Sequence, residues 1–198
     1  MSIQLSEAGI RTSCDLTTYI SPSSTTNGHN DDDNDEDEAN EAEADEADIP
    51  FDRTTITLKT ILRSTHLADA ISELSTTTPT VLVLTTTPRP PCLSLSATGG
   101  ALGTASVDFS GHESDGGVLE TFDCRARWSG RYAFEVVRKA ARAMATGSKV
   151  SVRADGLGVL SLQFLVDVEG DAERPAFVDF RIVPLVEGEE EGDEGESE

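Results

Sequence analysis

The chain has 198 residues, room for one domain of ordinary size plus flexible segments, and a formal net charge of −22. That charge is concentrated: residues 31–48 hold 12 acidic side chains and residues 187–198 hold 8, with no Lys or Arg in either run. Removing those 20 leaves 17 acidic against 15 basic, so the body is close to neutral and contact with nucleic acid is not excluded.

The two acidic tracts offer almost no apolar surface to offset chain entropy and read as disordered. Residues 21–50 form a Ser/Thr-rich and then acidic linker, and residues 187–198 an acidic tail. Cys14, Cys92 and Cys124 are odd in number and widely spaced, which suits free thiols in a reducing compartment. The longest all-aliphatic run, Val81 to Leu84, is too short to span a membrane, and the N-terminus lacks the regions of a signal peptide. An intracellular protein is expected. No long Lys/Arg cluster marks nuclear import.

In chain order, residues 7–20 read as one strand after a glycine turn. The Asp31-x-Asp33-x-Asp35 spacing has the start of a calcium loop, but Glu36 stands where that loop needs Gly and Ala42 where it needs Glu. A solvated acidic tether is the better reading. From Phe51 the composition changes. Thr54 to Lys59 alternates as a strand, and Ser64-Thr65 can cap a helix running to about Leu74, with Leu67, Ala70, Ile71 and Leu74 on one face. Strands are then expected at Thr80–Thr86, Cys92–Ala97, Leu102–Phe109 and Val118–Ala126. Pro88 to Pro91, a Gly99-Gly100 hairpin turn and Gly116-Gly117 separate them. A sixth strand starts at Arg131–Phe134, and residues 135–145 form a second helix. Three antiparallel strands follow, from Lys149, from Leu160 and from Phe177, the last burying Val178, Phe180 and Ile182. Strand, helix, strands, then the same again, make one pseudo-symmetric α+β domain.

The second helix is the place to look for binding chemistry. Val136, Val137, Ala140, Ala141 and Met144 span one side at 100° per residue, and Arg138, Lys139 and Arg142 cluster on the other. Such a face either keeps a surface helix soluble or meets phosphates. The first helix shows Asp69 and Glu73 outward and is a poor phosphate surface. Asp108, Asp155, Asp167 and Asp179 are scattered rather than paired on a core strand, which argues against a two-metal nuclease. His29, His66 and His112 lack metal-ligand spacing, and neither a serine-nucleophile elbow nor a phosphate-binding glycine loop is present. No cofactor and no metal are called for. A third reading takes the acidic tracts as docking sites for basic partners such as histones.

Lys149-Val-Ser-Val-Arg-Ala-Asp, Gly158-Val-Leu-Ser-Leu-Gln-Phe and Phe177-Val-Asp-Phe resemble the C-terminal signature of the Rad-one/Rec-one family. That family supplies one subunit of the nine-one-one DNA-damage checkpoint clamp, a relative of the PCNA sliding clamp. The resemblance implies a PCNA-like clamp domain over residues 51–186 and, in residues 1–20, a remnant of the last strand of a preceding clamp domain. It implies a non-catalytic scaffold in the nucleus, although members of the family have at times been labelled 3′–5′ exonucleases. The partners it implies are two other clamp subunits of Rad-nine and Hus-one type, a clamp loader, and duplex DNA held without sequence specificity. Arg138, Lys139 and Arg142 would face the DNA. The edge strand carrying Thr104, Ser106, Val107, Asp108 and Phe109 would form the subunit interface.

Overall fold

The computed structural model describes residues 2–7, 9–16, 48–111, 117–166 and 175–186. The expected acidic tail, the calcium-like spacing and all of the expected linker except residues 48–50 lie outside these, as do His29, His112 and Asp167.

Two units repeat the same course. In the first, β3 (Leu58–Arg63) leads into α1 (Ser64–Ser75), and the meander β4 (Val81–Thr86), β5 (Leu93–Gly100) and β6 (Gly103–Phe109) follows. After β7 (Leu119–Cys124), the second unit runs from β8 (Trp128–Ala133) through α2 (Phe134–Arg138) and α3 (Ala141–Thr146). It ends in the meander β9 (Gly147–Ala154), β10 (Leu160–Val166) and β11 (Ala176–Ile182). The N-terminal residues add β1 (Ser2–Glu7) and β2 (Ile10–Leu16).

At each helix the chain crosses from one sheet to the other. β3 pairs with β9 of the second meander, and β8 pairs with β4 of the first. The result is a six-stranded sheet, β1-β2-β6-β5-β4-β8, and a five-stranded one, β11-β10-β9-β3-β7. Every pairing is antiparallel. Neither unit completes a sheet alone, so their folding is mutual.

Alternation along each strand supplies the core. Leu58 and Leu62 of β3, Val150 and Val152 of β9, and Leu162 and Phe164 of β10 are buried, as are Leu82, Leu84, Leu95 and Val107 of the other sheet. α1 contacts β3 and β9 of one sheet and β5 and β6 of the other through Leu67, Ala70, Ile71 and Leu74, the face read from the sequence. Phe180 meets Phe164 edge to face at 6.0 Å between centroids. Of the apolar set expected on the last strand, Ile182 is fully buried, Phe180 half-buried, and Val178 40 % exposed because β11 is the sheet's outer strand.

Several local expectations are corrected. The first strand begins at Leu58, not Thr54, because Asp52 captures the threonines. Its Oδ1 accepts from the Thr54 amide (2.8 Å) and hydroxyl (2.6 Å), and its Oδ2 from the Thr55 hydroxyl (3.0 Å). Those bonds compete with a strand ladder and hold the Asp52 carboxyl below its usual range, the Thr54 hydroxyl contributing most. Ser64 does not cap α1. Its buried hydroxyl instead donates to the Met144 carbonyl at 2.7 Å and ties the start of α1 to α3.

The second helix is broken at Lys139–Ala140. There the Lys139 amide is shared between the carbonyls of Glu135 and Val136, and Ala140 bonds back to Val137. The break re-phases the buried face to Phe134, Val137, Ala140, Ala143 and Met144, leaving Val136 and Ala141 exposed. Gly99 and Gly100 are not the hairpin turn. They end β5 at a bulge, and a Cβ on Gly100 would stand 2.1 Å from the Thr77 carbonyl oxygen.

The N-terminal residues form a hairpin of two strands rather than one, with Gly9 at φ +82° in its turn. β2 lies along β6 from Ile10 opposite Phe109 to Leu16 opposite Gly103. The strand holding Thr104, Ser106, Val107, Asp108 and Phe109 is therefore interior, not an edge, and Val107 and Phe109 are core residues. β6 needs a ladder on both sides, and β2 supplies the second. The sheet's free edge passes to β1, where Ile3 and Leu5 are exposed. Deleting residues 1–16 should make the β6 amides directed at β2 exchange rapidly in hydrogen-exchange mass spectrometry while those of β4 stay protected. Continued protection of all β6 amides would contradict the pairing.

Candidate nucleic-acid interface

α1 and the α2–α3 segment lie side by side. The break at Lys139–Ala140 leaves the cations outward: Arg138, Lys139 and Arg142 are all exposed. Arg138 reaches Glu135 one turn back at 3.1 Å, with both side chains more than half exposed. An ion pair in that setting contributes little to stability and yields readily to another anion. Between the helices runs a groove of about 290 Å³ lined by Ala68, Ile71, Ser72, Ser75, Arg138 and Met144. The α1 side of it is nearly neutral. Ser75 donates to the Ser72 carbonyl at 2.6 Å, and Glu73 accepts from the Thr12 hydroxyl of β2 at 3.0 Å. Glu73 is thus occupied by the N-terminal hairpin, while Asp69 is exposed. A surface of three exposed cations diluted by one carboxylate can neutralise phosphates without reading a base.

The carboxylates weighed for metal chemistry are separated by the fold. Asp108 lies in the six-stranded sheet opposite Arg11, whereas Asp155 and Asp179 belong to the five-stranded sheet and its hairpin. Asp179 accepts from the Ser161 hydroxyl (2.7 Å) and from Arg181 (3.4 Å). Among the described residues no three His, Cys, Asp or Glu side chains come together as metal ligands.

Asp155 has a role that spacing alone did not reveal beyond its place in a turn. It is fully buried, and Oδ1 accepts from the amides of Leu157 (3.0 Å) and Val159 (2.9 Å) while Oδ2 accepts from the amide of Asp52 (3.1 Å). Nearby, the Tyr132 hydroxyl of β8 donates to the Gly158 carbonyl at 2.7 Å. Burial first, and then the charge of Asp155, raise the Tyr132 phenol well above its ordinary value. Arg181 of β11 ties down the residues that precede Phe51. It donates to Asp48 (2.7 Å) and to the Ile49 carbonyl (2.8 Å), so residues 48–50 join the folded body.

Three comparisons bear on this geometry. The protein family described as repair protein Rad1/Rec1/Rad17 matches residues 1–166. The DNA damage checkpoint control protein rad1 of Schizosaccharomyces pombe is 37 % identical over 142 residues, which are 71 % of this chain and 42 % of that protein. The human cell cycle checkpoint protein RAD1 is 33 % identical over 150 residues, 76 % of this chain and 49 % of that protein. The chain therefore spans about half the length of the curated relatives it matches. A PCNA2–PCNA3 complex from Sulfolobus tokodaii superposes with a TM-score of 0.52 at 18 % identity, covering 74 % of this chain and 52 % of that one. That likeness carries the fold: a PCNA-like α+β clamp domain.

Replacing Asp155 by Ala should lower unfolding stability by about 2–4 kcal/mol, because it strands buried amides that each cost roughly 1–3 kcal/mol unpaired. Urea denaturation measures it. A change below about 0.5 kcal/mol, the range of ordinary surface substitutions, would show that solvent replaces the carboxylate.

Proposed function

The chain belongs to the Rad1/Rec1/Rad17 repair-protein family, and on that premise we propose that it is a non-catalytic scaffold subunit of a heterotrimeric DNA-damage checkpoint clamp acting in the nucleus. In this reading residues 51–186 are one clamp domain, and β1–β2 belongs to a preceding one. The partners are two other clamp subunits of Rad-nine and Hus-one type and a dedicated loader, and the ring surrounds duplex DNA without reading its sequence. The observation that carries it is the exposed set Arg138, Lys139 and Arg142 on the helical layer of a clamp fold. Phosphates at that layer would meet cations that no buried partner immobilises.

On this reading partners join through the six-stranded sheet. With β6 covered by β2, the first meander offers no strand edge of its own, and a partner sheet meets β1 or displaces the hairpin. Either contact is strand addition through backbone hydrogen bonds, with the alternating side chains setting selectivity.

Replacing Arg138, Lys139 and Arg142 together by Ala should leave stability within about 0.5 kcal/mol, since all three are exposed and Ala keeps helix propensity. In the assembled complex, DNA binding should lose about 2.7 units of salt slope, at roughly 0.9 per phosphate contact, equally for unrelated sequences. An unchanged slope with assembly intact would reduce these cations to solubilising the helix.

The purified chain should show no magnesium- or manganese-dependent nuclease activity. Activity that co-purifies with the protein and vanishes on mutating Asp108 or Asp179 would overturn the scaffold reading in favour of an exonuclease.

A further inference from the structure

We propose that the concavity at the β3–β7 end of the five-stranded sheet is a binding site for a phosphorylated, acidic peptide segment. The concavity has a volume of about 520 Å³ and is walled by Arg53, Lys59, Arg125 and Arg127, with Asp123 and Trp128. Two separate stretches of chain deliver its four cations. Arg53 precedes β3, Lys59 lies within β3, and Arg125 and Arg127 occupy the turn between β7 and β8. All four are exposed, and no ion pair holds any of them among the described residues. The one carboxylate, Asp123, stands opposite Lys59 in the β3–β7 register. Four like charges converging on one hollow repel one another until an anion enters, so the site is charged for an acidic ligand.

Three features choose the ligand. Three of the four cations are arginines, whose planar forks match phosphate oxygens two at a time. Neighbouring hydroxyls do not compete, since Thr54 and Thr55 already donate to Asp52. The hollow also adjoins β7, an outer strand of its sheet among the described residues, along which an extended peptide can run past the cations. A duplex following the helical layer does not reach here. Lys59 and Asp123 project from the sheet face opposite the one that buries Leu58, Thr60 and Leu62 against the helices. The site is independent of the ring reading: it stands or falls on its own charges.

Trp128, the only tryptophan in the chain, lines the hollow and reports on it directly. Its fluorescence in the full-length protein would be followed on titration with a synthetic Glu-rich peptide carrying one phosphoserine, with the unphosphorylated peptide, and with a duplex oligonucleotide. The expected result is a saturable change with the phosphopeptide and binding several-fold weaker without the phosphate. Arg125→Glu combined with Arg127→Glu should weaken the phosphopeptide at least about 10-fold, as charge-assisted bidentate contacts require. Arg53→Gln should weaken it in the same direction, providing a second reading should the double variant have an altered urea midpoint. Absence of a saturable change, unaltered affinity in these variants, or equal affinity for the duplex would overturn the proposal.

Discussion

A buried carboxylate between two backbone turns holds this domain together. Asp155 sits at the end of β9, and its two oxygens take amides from the β9–β10 turn on one side and from the segment entering β3 on the other. Because β3 and β9 are neighbours in the same sheet, the carboxylate locks both the entry and the turn of that sheet at one point. Tyr132 extends the link to the other sheet by donating from β8 to Gly158 in the same turn. A carboxyl group so deep is tolerable only because backbone amides satisfy its oxygens. Its desolvation is offset locally, and the geometry of both chain entries follows.

Around that point the two units exchange their single strands. Each strand–helix pair hands its strand to the other unit's meander, so the helices end up together and α1 touches both sheets. The Ser64 hydroxyl on the Met144 carbonyl fixes the pair where α1 begins and α3 ends. Such reciprocity makes either unit alone an incomplete sheet with an uncovered helix, which favours cooperative folding of the whole.

Charge is distributed by the same architecture. The acidic surplus is carried by residues 31–48 and 187–198 of the sequence, while the described body presents cations on two surfaces. One is the helical layer with Arg138, Lys139 and Arg142, and the other the hollow around Arg125 and Arg127. A domain that separates its cations in this way can hold a polyanion on one face and take a different acidic ligand on the other. Short screening lengths at physiological salt keep the two surfaces electrically independent.

Sequence alone determined the α+β class, the two-unit order, the inward face of α1 and most strand positions, because periods of 2 and 3.6 residues are local properties of the backbone. The family signature was legible for the same reason: it lies within three consecutive strands. What local pattern does not contain is the choice of neighbour. That β2 covers β6, turning an expected edge into an interior strand, depends on residues about a hundred positions apart in the register of Ile10 with Phe109. The shift of β3 past Thr54 required Asp52 to outbid a ladder, and the break at Lys139–Ala140 re-aimed a helix that a single 100° phase had placed with Val136 inside. The convergence of Arg53 and Lys59 with Arg125 and Arg127 was likewise decided only in three dimensions, since the two pairs lie some seventy residues apart along the chain. Alternation reports which face of an element is buried; only packing selects which element buries it.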